Sequence, residues 1–276
     1  MLLGPILAAM FAAEPSTPLF RADFESQPSG HPYLSKFWET EGLVLPESAY
    51  KFGEHPTPHT LVDDAHPRGE SKNSLRVLYP EGAVGPREGG AQAVLRLPPR
   101  QEYYLSYWLR FEEGFSWGGR HHGGKLPGLG ATKLSSGGGA TDGTDGFTAR
   151  LMWRRNGAAV LYLYHMDKPG KWGEDFGLRE NVNDAVIAFI PGEWYQVIQY
   201  VRINSDNKRD GRVKIWINDK EVLALKEIRF VNNGDLVDTL YFSTFHGGNT
   251  PDWGPRHDSV IHFDDFKIGL TKASVK

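Results

Sequence analysis

The sequence predicts an all-β fold, a β-jelly roll or sandwich of two antiparallel sheets. Three observations carry this reading. Apolar and polar residues alternate with period 2, the strand-like runs are short and separated by Gly, Pro, Asn and Asp, and no stretch joins helical periodicity to capping residues. The 32 glycines and 18 prolines among 276 residues form no repeat and no low-complexity tract, so they read as turns of a globular β protein.

The chain opens with MLLGPILAAMFAA, an apolar stretch that ends in small residues before Glu14-Pro15. It reads as a short secretion signal over residues 1–15 and therefore as an exported protein, although its start carries no Lys or Arg. Residues 16–276 read as one domain, since β-sandwiches of this length often stay undivided. Residues 46–73, rich in Pro, His and charge, read as a long surface loop. Tyr103, Leu105, Tyr107, Leu109 and Phe111 fall on one face of a strand. The glycine-rich stretch 134–146 follows and reads as a flexible loop. Residues 147–154 and 160–166 then form a pair of strands around Asn156-Gly157. Residues 194–203 and 212–217 alternate likewise, the second entering a tight turn at Asn218-Asp219-Lys220, and residues 240–245 and 260–268 supply the last strands.

A net charge of −3 excludes a generally basic nucleic-acid binder, and no apolar window is long enough to span a membrane. The absence of cysteine excludes disulfides, thiolate zinc sites and a cysteine nucleophile. There is no Glu-x-Asp-x-Glu run of a retaining glucanase, no G-x-S-x-G, no P-loop and no dinucleotide fingerprint. Charge is unevenly placed. Residues 110–155 hold seven Arg or Lys against four acids, a local +3 that leaves the rest of the chain at −6. A basic island in an acidic protein suits a negatively charged ligand.

Within that island Thr148, Arg150, Met152 and Arg154 share one strand face, and Leu151 and Trp153 lie opposite. On the next strand Tyr162 and Tyr164 share a face. Whether the two polar faces coincide depends on the turn. A two-residue turn at Asn156-Gly157 pairs Arg150 with Leu163 and sends the tyrosines to the Leu151 face. An odd loop, Asn156-Gly157-Ala158, pairs Arg150 with Tyr164 and Met152 with Tyr162. Asn-Gly favours the first arrangement and the polarity of the faces favours the second.

His122-Gly-Gly-Lys125-Leu-Pro-Gly-Leu129, Thr148-Ala-Arg150, Tyr162-Leu-Tyr164 and the closing Phe245-His-Gly-Gly-Asn249 with Trp253 resemble the alginate lyases of polysaccharide lyase family 14. The similarity runs over roughly residues 70–270. It implies a β-jelly roll with a concave substrate cleft, and Lys125, Arg150, Tyr162 and Tyr164 as its catalytic residues. Thr148 stands where the family usually has Ser and keeps the hydroxyl. Gly130-Ala131 replaces the usual Tyr-Gly-Gly, a departure that bears on subsite shape. Gln92, Thr148, His122, His246 and Asn249 are the expected substrate-binding residues.

These residue types suit β-elimination on a polyuronate. The C5 proton becomes removable once the neighbouring carboxylate is neutralised by Arg150 or Lys125, with Gln92 or Asn249 as further donors. Tyr164 then serves as base and acid, assisted by Lys125, while Tyr162, Thr148 and Arg150 orient the sugar. The expected partner is an anionic polysaccharide, with no nucleic acid and no membrane, and the protein is expected to be a monomer. No cofactor is required on this reading. His121-His122 lack a third ligand, so no metal site is expected in the cleft. A structural calcium ion is conceivable only where Asp264-Asp265 meet Asp23 and Glu25. The competing readings are a glucuronan-type lyase and a non-catalytic carbohydrate-binding sandwich module.

Overall fold

The computed structural model describes residues 17–34, 36–40, 59–131, 133–139 and 141–276; the apolar leader and residues 46–58 of the expected surface loop lie outside them. In chain order the elements are β1 (Phe20–Ala22), α1 (Lys36–Thr40), β2 (Thr60–Asp63), β3 (Ser74–Tyr79), β4 (Ala91–Arg100), β5 (Glu102–Phe111), β6 (Gly124–Gly130) and β7 (Thr148–Trp153). They continue with β8 (Ala159–Tyr164), β9 (Glu174–Gly177), β10 (Tyr195–Arg202), β11 (Gly211–Ile217), β12 (Lys220–Ile228), β13 (Val237–His246) and β14 (Ser259–Gly269). Strand β2 falls inside the segment read from sequence as a loop. Among the described residues no helix is long and apolar enough to cross a membrane.

The strands form two antiparallel sheets. The larger runs β12-β11-β10-β5-β14-β3-β2, with β1 added on β14, and the smaller runs β4-β13-β6-β7-β8-β9. One apolar cluster takes side chains from both sheets, so they pack face to face. The alternation read from sequence is what builds it: Tyr103, Leu105, Tyr107, Leu109 and Phe111 of β5 are all fully buried. Leu151 and Leu163 enter the same core from the other sheet. The turn between β11 and β12 has two residues, Asn218 and Asp219, both with positive φ (49° and 66°), the geometry that matches strand twist in a tight hairpin.

The inner face also carries polar residues, and one of them joins the two sheets. Gln199 of β10 is fully buried, accepts a hydrogen bond from the Leu129 N–H (3.0 Å) and donates to the Ala149 carbonyl (2.9 Å). It ties the larger sheet to β6 and β7, where the pairing of β6 shifts between Lys125 and Gly128. Pro127 sits in that irregularity, and its carbonyl accepts a hydrogen bond from Tyr107 Oη (3.1 Å). Backbone groups that a regular ladder would pair are thus satisfied from the core, and the bulge that aims Lys125 is held in place.

Candidate active site

The hairpin β7–β8 decides the geometry. Its loop is odd, Arg155-Asn156-Gly157, and begins one residue earlier than the odd loop considered from sequence. Asn156 and Gly157 have positive φ (56° and 77°), which turns the chain without a two-residue hairpin. Arg150 therefore lies opposite Tyr162, and Thr148 opposite Tyr164, a two-residue offset from the expected pairing that keeps the same faces together. Met152, Val160, Tyr162 and Tyr164 form a small buried cluster of their own on the outer side of the six-stranded sheet, away from Leu151.

The glycines around Lys125 explain how the strands come so close. A Cβ on Gly128 would lie 2.0 Å from the Ala149 carbonyl oxygen, and one on Gly124 would lie 1.9 Å from the Trp153 ring. Only glycine lets β6 pack on β7 at these points. Lys125 then reaches over its neighbour strands. Its Nζ lies 2.9 Å from Met152 Sδ and 3.8 Å from the centre of the Tyr162 ring. Burial, and next the guanidiniums of Arg150 and Arg154, pull its pKa well below the usual lysine value.

Arg150 is 2 % exposed. Its Nη1 donates to Ser243 Oγ (3.0 Å), and its guanidinium lies 4.7 Å from the centre of the Tyr241 ring. Tyr241 Oη in turn donates to Gln92 Oε1 (3.0 Å), which brings Gln92 into the same row. The Nε of Arg150 is buried without a hydrogen-bond partner, and among the described residues no carboxylate forms an ion pair with Arg150 or Lys125. A buried cation with no counter-charge is costly, and an incoming anion removes that cost.

The two phenols lie 3.5 Å apart, oxygen to oxygen. Each also accepts a backbone N–H from a covering loop: Gly138 to Tyr164 Oη (2.9 Å) and Gly173 to Tyr162 Oη (3.0 Å). Burial, then the contact with Tyr164, raises the Tyr162 pKa and keeps that phenol protonated. The two loops meet, Gly138 lying against Lys171 and Trp172. Thr148 anchors the first of them, its Oγ1 donating to the Ser135 carbonyl (2.8 Å). Lys168 Nζ lies 5.4 Å from the centre of the Tyr164 ring, and Arg154, 5.6 Å from that of Tyr162, is held by Asp175 in a two-pronged pair (2.8 and 2.7 Å).

Five of the nine residues expected from sequence thus share this face: Gln92, Lys125, Arg150, Tyr162 and Tyr164. Thr148 is there too but serves the covering loop. The other three are elsewhere. His246 points into the core between Phe115, Trp153 and Tyr79, its Nδ1 donates to the Trp253 carbonyl (3.1 Å), and burial lowers its pKa to about 4. Strand parity explains the placement: Tyr241 and Ser243 face out on β13, so His246 faces in. His122 lies two residues before β6, its pKa lowered by burial and by Arg155 and Arg256. Asn249 is exposed beyond β13, and no described side-chain contact joins it to the tyrosines. Sequence reading missed Tyr241, Ser243 and the two loop amides. The first two were legible as the outward positions of β13; the amides were not.

The acids Asp264 and Asp265 both face outward because a bulge with Asp265 at φ 48° interrupts β14. The termini do pair there, and Arg68, Arg21 and Lys267 meet these carboxylates.

The profile described as polysaccharide lyase 14 matches residues 67–266. No curated protein matches the chain. Among solved structures it is similar to alginate lyase Aly36B at 26 % identity over 92 % of this chain and 98 % of that one, with a TM-score of 0.74. That structure is of a variant with a lysine and a tyrosine replaced, in complex with an alginate tetrasaccharide; another, with the lysine and a methionine replaced, holds a trisaccharide. The fold also matches a marine alginate lyase from Aplysia kurodai (24 % identity, 92 % of this chain and 99 % of that one, TM-score 0.70). An endo-β-1,4-glucuronan lyase from the fungus Trichoderma reesei shares it as well (16 %, 94 % and 98 %, TM-score 0.56).

Proposed function

The chain belongs to the polysaccharide lyase 14 family, and from that premise we propose that it cleaves alginate or a related polyuronate by β-elimination on the outer face of the six-stranded sheet. The observation that carries this reading is Arg150, a buried guanidinium without a carboxylate partner among the described residues, set beside two phenols and a lysine. A uronate carboxylate at Arg150 neutralises that charge. The C5–H beside it then becomes acidic enough to remove, because the developing negative charge is held by groups already in place.

Tyr164 Oη takes the C5 proton, the C4–O bond breaks as the C4–C5 double bond forms, and the proton passes to O4 of the leaving sugar. Lys125 is the second proton carrier: burial and the guanidiniums of Arg150 and Arg154 lower its pKa, which eases loss of its proton. Tyr162, kept protonated, donates to the sugar. Gln92 acts through Tyr241, and Met152 packs beneath Lys125. The lysine, tyrosine and methionine replaced in the alginate-bound relative are residue types that also meet at this site, which supports the reading. Tyr164 is fully buried here, so the loops bearing Gly138 and Gly173 must lift for a polymer to enter.

The test is incubation of the purified protein with polymannuronate, polyguluronate and glucuronan, following the ultraviolet absorbance of the unsaturated uronate product. A rise on the first or second supports an alginate lyase, and a rise on glucuronan alone transfers the same chemistry to another uronic acid. Binding without any rise overturns the lyase reading in favour of a carbohydrate-binding module.

A further inference from the structure

The opposite side of the molecule carries a second constellation. Asp63, at the end of β2, His66, three residues on, and His262 of β14 each offer a donor atom, and these atoms all lie within 4.8 Å of one another. His66 Nδ1 is 3.1 Å from Asp63 Oδ2, and His262 Nδ1 is 3.6 Å from the same oxygen. The imidazole rings lie 4.5 Å apart, centre to centre. His262 is fully buried on the outer face of β14, while Asp63 and His66 are partly exposed, so the group opens to solvent on one side.

The second nitrogen of His262 is also engaged. Its Nε2 lies 2.9 Å from Glu112 Oε1. A carboxylate on the far nitrogen fixes the tautomer, with the proton on Nε2 and the Nδ1 lone pair turned toward Asp63, and it raises the basicity of the ligating nitrogen. In that tautomer Nδ1 accepts a hydrogen bond from Ser74 Oγ (3.1 Å), and a lone pair and a carboxylate oxygen face each other across a short gap. A cation between them resolves that opposition. The cross-strand neighbours of His262 are Arg76 and Arg110; Arg110 is committed to Glu113 and to the Gly192 carbonyl.

We infer that Asp63, His66 and His262, with Glu112 behind His262, form a binding site for a divalent transition-metal cation of the zinc type, separate from the catalytic face. Two imidazoles and one carboxylate, with water in the open position, match the ligand set and coordination number of Zn2+, and the imidazoles discriminate against the harder Ca2+. Coordination replaces the Ser74 hydrogen bond at Nδ1. The site pins β2 and the segment after it to β14.

The experiment uses the full chain, freed of metal with a chelator and titrated with zinc sulfate by calorimetry, with thermal unfolding measured alongside. The expected result is one tight site per chain and a Tm that rises with zinc. His66→Ala removes the tight site and the zinc response while leaving the metal-free Tm close to that of the parent. Asp63→Asn, which keeps the side-chain shape, does the same. Glu112→Gln retains the site but weakens it roughly 10- to 100-fold, the effect of losing a charged outer partner. Absence of a tight zinc site in the parent, its survival in His66→Ala and Asp63→Asn, or equal uptake of calcium each overturns the proposal. Metal uptake is read directly, so this outcome is independent of whether the chain cleaves a polyuronate.

Discussion

Both outer faces of the sandwich bury charged side chains, and they differ in what surrounds them. On the eight-stranded sheet Asp264 meets Arg68 (2.9 Å), Asp265 meets Arg21 and Lys267 (2.8 and 2.9 Å), and Arg110 meets Glu113 (2.8 Å). On the six-stranded sheet Lys125 and Arg150 are surrounded by a thioether, a hydroxyl and aromatic rings. The first face is closed electrostatically within the chain. The second has a positive charge that no carboxylate among the described residues matches. Since burying an unpaired ion costs several kcal/mol, at roughly 3–5 kcal/mol for a broken pair, its retention points to a role outside stability. The acid-rich face instead holds the histidine and carboxylate donors suited to a cation.

The sharpest way to break this contrast is at the catalytic face. Tyr164→Phe removes the proposed proton carrier and is expected to lower kcat by about 10²- to 10⁴-fold while polyuronate binding is retained. Arg150→Met removes the proposed charge stabiliser and is expected to lower kcat by about 10²- to 10³-fold. The same Arg150 variant should unfold at an unchanged or higher temperature, because it deletes a buried unpaired charge. Steady-state kinetics with thermal unfolding on one preparation checks both halves. A large fall in Tm for Arg150→Met would show that the guanidinium is structural after all.

Between the two faces, the core holds titratable groups that remain neutral, and this produces the next largest effect. His246 is buried with a pKa lowered to about 4, against about 6.5 when unfolded. Above the unfolded value it contributes in full. As pH falls from about 6.5 to 4 the unfolded chain takes up a proton that the folded chain refuses, and up to about 3 kcal/mol of stability is lost. Asp264, on the outer face of the eight-stranded sheet, works the other way: burial, against Arg68, raises its pKa to about 6, so protonation favours the folded state below that pH. The difference between the parent and His246→Phe isolates the histidine. Denaturant unfolding at several pH values should give a shallower acid slope for the variant, whatever its stability at neutral pH.

Returning to the faces, Arg68→Met leaves Asp264 buried beside the remaining cations. Arg68 is itself partly exposed, so the expected loss is about 2 kcal/mol, below the full penalty of a buried pair. Activity on polyuronate should not change, the reverse of Arg150→Met. Equal effects of the two substitutions on both readouts would erase the distinction between the two faces.

The sequence shows this contrast only in part. Alternation reveals β5 because each apolar residue at i, i+2 reaches a core wide enough to bury it, and the same parity makes Arg150 and Met152 outward. It does not reveal β4, where Ala91 and Ala93 give a weak signal and Pro98-Pro99 look like a break. That strand is an edge, the position in a sheet that tolerates proline. Parity also leaves the Arg150 and Tyr162 pairing to the φ values of Asn156 and Gly157, which residue type favours but does not determine. His246 sits in a motif that suggests a cleft, yet β13 turns it inward. The amides of Gly138 and Gly173 reach the phenols only through loop packing, and His262 meets Asp63 and His66 only through the pairing of β14 with β3 and of β3 with β2.

The smallest effect tests whether an unmatched cation is what makes the catalytic face attractive to an anionic polymer. Arg154 belongs to that face but is paired with Asp175, and both are partly exposed. Exposed pairs of this kind contribute about 0.2–1 kcal/mol, so Asp175→Asn should change stability by no more than that. The substitution frees the Arg154 guanidinium, 5.6 Å from the centre of the Tyr162 ring, to meet a uronate carboxylate. The same energy appearing in binding lowers KM by up to roughly fivefold. The gain should shrink as salt is added, because the freed charge lies near solvent. Michaelis kinetics for the parent and Asp175→Asn at low and high ionic strength measure this directly. An unchanged or higher KM at low salt would mean that Asp175 positions Arg154 for the sugar, and that pairing on this face serves recognition as well.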